Sequence, residues 1–514
     1  MTSLQDVSFI LESFSQWLPL PQIPWYHWIV EIGLAVWIIK LLFFSKSYNP
    51  GKKAVDRLTT QEEDELIDEW NPEPLVPDAD DSDDEEVEFR SVTSKPGGHI
   101  VVDGHECINL ASLNFLGMLE RPQVTEKAIS SLRKYGVGSC GPRGFYGTID
   151  VHLDLEKRLS QFMGTEESIL YSYGFTTMST ALPAYAKKGD VIFCDEGSYM
   201  PIQKGLIASR SKVYFYKHND MEDLERQLEV QAEIDAKNPA KAKVTRRFLA
   251  TEGVFFNYGD ICPLPKLVQL KKKYKFRIFL DESISIGTLG TTGRGVTEYW
   301  DVPVSDVDCI CGTLEYGFAS VGGFATGTHF VVNHQRLSAQ GYCFSASLPP
   351  MLAAAAMEGL DILDQNPKLL EDLSSKIAQL HDALKGLNGM TVCGSRLCPV
   401  VHLRLKESTG SRKDDVRLLQ TFSDQAMKKG VAIVQAKYLD HEEAFLPPPR
   451  YGAVVMIHSL CSYTSSGSTN HGHISFTNRS IYLALFCCSP FLDIVLMSSV
   501  WLCVCSNSVH LYLI

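Results

Sequence analysis

Positive charge is in short supply: 48 Lys and Arg stand against 61 Asp and Glu, a formal net charge of −13 over 514 residues. That balance argues against nucleic-acid binding, which needs a basic patch. Paired C-x-x-C cysteines are absent as well. The fourteen cysteines include only the C-x-C pairs Cys309/Cys311 and Cys503/Cys505, so no zinc-type site and no metal centre is expected. Those of the globular part, such as Cys194 and Cys262, sit singly and read as reduced thiols of a chain facing the cytosol. Neither a cleavage-site pattern nor a basic stretch precedes the first apolar run, which speaks against a removable signal peptide. What is present is ordinary for a globular protein, with 45% hydrophobic and 21% charged residues. The length suggests roughly two to four units.

The first apolar run, 24–44 (PWYHWIVEIGLAVWIIKLLFF), holds about 20 residues, enough at about 1.5 Å each to cross a bilayer of roughly 30 Å. Glu31 weakens it, since a charge at a helix centre costs about 2.5–3.5 kcal/mol. Glu31 lies nearer one end, however, and Lys40 can snorkel towards the other surface. Trp25, Tyr26 and Trp28 suit an interfacial belt; Lys40 lies near the end of the run, Lys46, Lys52, Lys53 and Arg57 follow it, and no basic residue precedes it. The positive-inside rule then puts the N-terminus in the lumen and the bulk of the chain in the cytosol. The alternative is an amphipathic helix lying on the membrane. Residues 1–48 are thus read as a lumenal segment with one transmembrane helix, and 49–98 as an acidic, proline-rich linker. Within the linker, 59–70 is helix-compatible and 78–88, nearly all carboxylate, is solvated.

Beyond it, stretches with helical apolar spacing (221–235, 369–387) alternate with strand candidates (191–195, 276–280, 400–405). This predicts an α/β fold with a mainly parallel sheet covered on both faces, in a soluble part that opens near His99. Asp281 ends the buried run 276–280, where open α/β sheets place ligand-binding groups. Gly-Thr-Leu-Glu-Tyr follows at 312–316.

That run resembles the Gly-Thr-Leu-Gly-Lys of the α-oxoamine synthases, fold-type I pyridoxal-phosphate transferases that condense an amino acid with an acyl-CoA. The resemblance implies a large domain, 99–351, and a smaller C-terminal one, 352–450, and other runs extend it. Asn114-Phe115-Leu116-Gly117 is similar to the family's Asn-Tyr-Leu-Gly, Ser172–Phe175 to its Ser-Gly-Phe turn, and 247–263 to its Asp-Gly-Val-Phe run, with Glu252 for the first aspartate. The Gly-rich segment 135–147 (YGVGSCGPRGFYG), continued by His152, Leu155 and Glu156, resembles the family's interface loop; it places Tyr135, Gly138, Cys140, Gly141, Arg143 and Gly144 near a partner's active site. Tyr342–Pro350 (YCFSASLPP) resembles Phe-Thr-Thr-Ser-Leu-Pro-Pro, whose hydroxyls reach the other subunit's cofactor phosphate; Ser345 and Ser347 keep hydroxyls here.

The departures are equally specific. The resemblance puts Tyr316 at the Schiff-base lysine, Tyr199 at the ring-stacking histidine and Ile284 at a second histidine. A phenol cannot form an imine, so no catalytic residue is expected on this chain. Asp281, the pyridine-nitrogen partner, would be vestigial, and the pyridoxal phosphate would sit on a lysine of a partner subunit. The resemblance implies a subunit of an enzyme that joins L-serine to palmitoyl-CoA to give 3-ketosphinganine. It further implies residence in the endoplasmic reticulum membrane, with a lysine-bearing catalytic subunit, small activating subunits and Orm-type regulators as partners. Two rivals are a membrane scaffold or regulator outside any active site, and an autonomous enzyme using another lysine. After Arg450 the resemblance stops. The family's closing strand and charged helix give way to an apolar tail, 451–514, with five of the cysteines. It is read as an alternative end or a second span, weakened by Asp493. Its His471 and His473 form an isolated H-x-H, read as coincidence.

Overall fold

A computed structural model describes residues 25–41, 59–70, 89–435 and 455–458. These fall in two compact units, Met1–Glu88 and Phe89–Ile514. In the larger unit the apolar runs become seven strands: β3 (Glu167–Tyr171), β4 (Val191–Asp195), β5 (Lys212–Tyr216), β6 (Arg247–Glu252), β7 (Arg277–Asp281), β8 (Cys309–Thr313) and β9 (Gly323–Gly327). Two short strands precede them, β1 (His99–Val102) and β2 (His105–Asn109). The large sheet has the order β3-β9-β8-β7-β6-β4-β5. β9 is antiparallel to both its neighbours and the others share one direction. The sheet is therefore mixed, with the expected parallel majority.

Continuous apolar strands follow from burial on both faces, and β4 and β8 are buried at every residue. On one face pack helices Asp150–Met163, Leu264–Tyr274 and Pro350–Gln365. Helices Gly174–Tyr185, Met200–Ser209 and His329–Ser338 cover the other. Register decides what gathers at the strand ends. Glu252 lies beside Asp281, and Asp281 beside Cys311, so the ends of β6, β7 and β8 bring two carboxylates and the 312–316 run to one edge.

The remaining strands are β10 (Met390–Cys393), β11 (Val400–Leu405), β12 (Val431–Ala432), β13 (Val434–Gln435) and β14 (Val455–His458). They form a four-stranded sheet, β10-β11-β14-β13, and a three-stranded one, β1-β2-β12. Helix Lys368–Leu384 buries Leu370, Leu373, Ile377, Leu380 and Leu384. Their spacing of three and four makes one apolar stripe, each leucine worth about 1.5–3 kcal/mol on burial. β14 departs from the sequence reading, which gave the segment after Arg450 no closing strand. Val455–His458 pairs antiparallel with both β11 and β13, and its Val-Met-Ile run is β-prone. The rest of the tail, His471 and His473 included, lies outside the described residues.

In the N-terminal unit, helix Trp25–Ile39 has 15 residues, about 22 Å at 1.5 Å each. Among the described residues no helix is long and apolar enough to cross a membrane. Ile29, Val30, Ile32, Leu34, Val36, Trp37, Ile38 and Ile39 are all exposed. Helix Thr60–Glu69 opens with a capping box in which Thr59 Oγ1 accepts from Glu62 N–H and Glu62 Oε2 accepts from Thr59 N–H at 2.8 Å. The acidic run 78–88 lies outside the described residues.

Candidate cofactor-type site at the strand ends

Asp281, at the end of β7, is buried, and both its oxygens are engaged. The Tyr199 hydroxyl donates to Oδ2 at 2.6 Å and the Ser283 N–H to Oδ1 at 2.7 Å. Tyr199 reaches there because the Glu252 carboxylate fixes its backbone, accepting from Tyr199 N–H at 3.0 Å and from Phe256 N–H at 2.9 Å. The Tyr199 and Phe256 rings stack with centroids 6.1 Å apart. Burial raises the pKa of Asp281, Glu252 and Tyr199, and for Tyr199 the neighbouring Asp281 charge adds to it. Ile284 is buried in the core beneath.

At the end of β8, Tyr316 lies between aromatics, 6.5 Å from the Phe256 ring and 6.3 Å from Phe115. Burial pushes its phenol well up, so it stays a neutral hydroxyl at physiological pH. Glu315 turns the other way. Its Oε1 accepts from the Gly174 N–H, a long contact at 3.4 Å, and Gly174 is the first residue of helix Gly174–Tyr185. Burial raises the Glu315 pKa while that N–H opposes the shift. Sequence reading passed over Glu315 and Phe256. The signal for Glu315 was available, because it stands where the resembling motif has glycine.

The Gly-rich loop is tied down from inside this chain. Arg143 and Glu156 form a buried ion pair at 2.8 Å, with Thr148 Oγ1 accepting from Arg143 and Leu170 N–H donating to Glu156. Ser347 is buried, and its hydroxyl bonds Ser139 Oγ and Gly147 O, each at 2.5 Å, while its N–H donates to Gly141 O at 3.0 Å. His152 clamps the same corner through Leu348 O at 2.6 Å. Ser345 is half-buried, 3.5 Å from Ser172 Oγ. The Tyr135 hydroxyl bonds Asp150. Gly138 is half-buried, whereas Cys140, Gly144, Phe145 and Tyr146 are exposed. Tyr146 is fully so and adopts φ 63°, a conformation costly for a side chain of its size.

Pyridoxal phosphate needs an amine for its aldehyde, a carboxylate open to its ring nitrogen and an anion-receptive cradle for its phosphate. These strand ends offer a phenol, a carboxylate already capped by Tyr199, and a helix N-terminus facing Glu315. The residues do not fit the cofactor.

The profile of the class I and II aminotransferases matches residues 105–446. Long chain base biosynthesis protein 1 of Arabidopsis thaliana is 46% identical over 433 residues, covering 84% of this chain and 88% of that protein. Serine palmitoyltransferase 1 of Dictyostelium discoideum is 43% identical over 423 residues, covering 81% and 87%. In fold, the chain is similar to a serine palmitoyltransferase from S. paucimobilis solved with bound PLP-myriocin aldimine. That match has a TM-score of 0.67 at 24% identity, over 79% of this chain and 93% of that one. The chain belongs to the class I and II aminotransferase family, in the branch of the serine palmitoyltransferase 1 and long chain base biosynthesis 1 proteins.

Proposed function

We propose that this chain is the non-catalytic, membrane-anchoring subunit of a serine palmitoyltransferase, which condenses L-serine with palmitoyl-CoA to 3-ketosphinganine. Tyr316 at the lysine position carries the reading. The cofactor is then held by a lysine of a partner subunit, where its ring serves as the electron sink. This chain's part is geometric. Ser347, Arg143 and His152 fix the Gly-rich loop, and Ser345 is the hydroxyl left to reach the partner's cofactor phosphate. Exposed Phe145, Tyr146, Tyr173, Phe175 and Phe344 on and around that loop support a partner surface, since apolar groups so clustered seek cover.

Membrane attachment is supported by the outward apolar side chains of helix Trp25–Ile39 and by the basic residues that follow it. On this reading the helix, with its flanking residues, makes a single span in the endoplasmic reticulum, with the catalytic fold in the cytosol. Small activating subunits and Orm-type regulators complete the complex. The test is turnover of L-serine and palmitoyl-CoA by this chain alone, by a lysine-bearing partner alone, and by the two co-expressed and co-purified. Activity that requires both chains is expected. Activity of this chain alone, or a failure to co-purify, overturns the proposal.

A further inference from the structure

Lacking a lysine is one thing; having the vacated anchor points filled by the chain's own side chains is another. Asp281 ends β7, the N-terminus of helix Gly174–Tyr185 meets Glu315, and Tyr316, next to Glu315 in the chain, lies 6.5 Å from Phe256, whose ring stacks on Tyr199. Asp281 and the helix N-terminus each have an intramolecular occupant. The Tyr199 hydroxyl donates to Asp281 Oδ2 at 2.6 Å, as a protonated ring nitrogen would. The Glu315 carboxylate takes the Gly174 N–H that a phosphate oxygen would take. The backbone at that second end is tightly packed. A Cβ built on Gly174 would come within 2.3 Å of Thr313 Oγ1 and 3.3 Å of Glu315 Oε1, and one on Gly323 within 3.0 Å of Gly174 Cα.

Charge settles which end excludes more strongly. A phosphate monoester carries about −1.5 to −2 charge at neutral pH. Brought to Gly174 it would meet a second anion at contact distance, in a half-buried site with little water to screen the pair. The phenol at 199 is neutral and blocks by hydrogen bonding and volume alone.

We propose that Glu315 and Tyr199 act as a built-in surrogate for pyridoxal phosphate, Glu315 excluding its phosphate group and Tyr199 its ring nitrogen, so that this subunit folds and assembles without cofactor in its own pocket. The proposal builds on the non-catalytic reading, but its test needs no partner, so the two can fail separately.

Full-length chain purified alone is melted with and without inorganic phosphate, and with and without pyridoxal phosphate. The forms compared are wild type, Glu315→Gly and Glu315→Gln, plus Tyr199→His/Glu315→Gly/Tyr316→Lys. Phosphate is expected to raise the melting midpoint of both single variants and leave wild type unmoved; the isosteric Gln form guards against misfolding of the Gly form. Pyridoxal phosphate is expected to leave a borohydride-stable adduct at position 316 in the triple variant, and none there when Tyr316→Lys is made alone. Phosphate shifting wild type as much as the variants overturns the proposal, as does phosphate shifting none of them. An adduct of equal yield with Tyr316→Lys alone also overturns it.

Discussion

Glu282 shows how burial at this edge of the sheet becomes a pH dependence. Its carboxylate is fully buried and accepts from the Ser285 hydroxyl and from Val296 N–H at 3.0 Å. Burial outweighs these bonds and raises its pKa from 4.5 to about 7. A carboxyl whose folded pKa is raised holds its proton more tightly in the native state. Its contribution is fully present below pH 4.5 and is lost as pH rises to about 7, a change of roughly 3 kcal/mol. Glu282→Gln should flatten that part of the profile; unfolding free energies of the two forms at pH 5 and pH 7.5 check it. A parallel loss in both would refute the assignment. At this scale much was legible, because Tyr316, Tyr199, Ile284 and Asp281 sit at fixed places in contiguous motifs. Their mutual contact was not. Tyr199 and Asp281 are 82 positions apart and meet only through the register of β4, β6 and β7.

Two elements carry predictions of their own. The Gly-rich loop hangs on Arg143–Glu156, and Arg143→Ala would strand a buried carboxylate at a cost of roughly 3–5 kcal/mol. Adding Glu156→Ala should recover part of that loss, which denaturant unfolding of the single and double variants will measure. β14 is paired on both sides at Met456, with His402 and Val434. Met456→Pro removes a ladder donor and should lower stability by on the order of 1 kcal/mol or more. An unchanged midpoint would show that the strand contributes nothing. The helices followed from apolar periodicity and β4, β7 and β11 from short strand-like runs, both local signals. β14 escaped because four residues in a tail of foreign composition give little periodic signal. The inward turn of Ser347 escaped for another reason: which way a hydroxyl points depends on a loop some 200 positions away.

For the whole molecule, the α/β fold with its parallel majority was predictable from alternating helical and strand patterns, and the antiparallel β9 was not. On the proposed reading, the basic residues after the apolar run set the orientation in the membrane. A glycosylation acceptor inserted before position 24 should be modified, and one placed in 78–88 should not; the opposite pattern would reverse the topology. The account's central claim is that this chain lends shape, not a lysine, to a shared active site. Its most direct test is borohydride reduction of the co-purified complex followed by peptide mapping of the pyridoxyl group. The account predicts the label on a lysine of the partner and none on this chain, whereas a stoichiometric label on any lysine of this chain would contradict it.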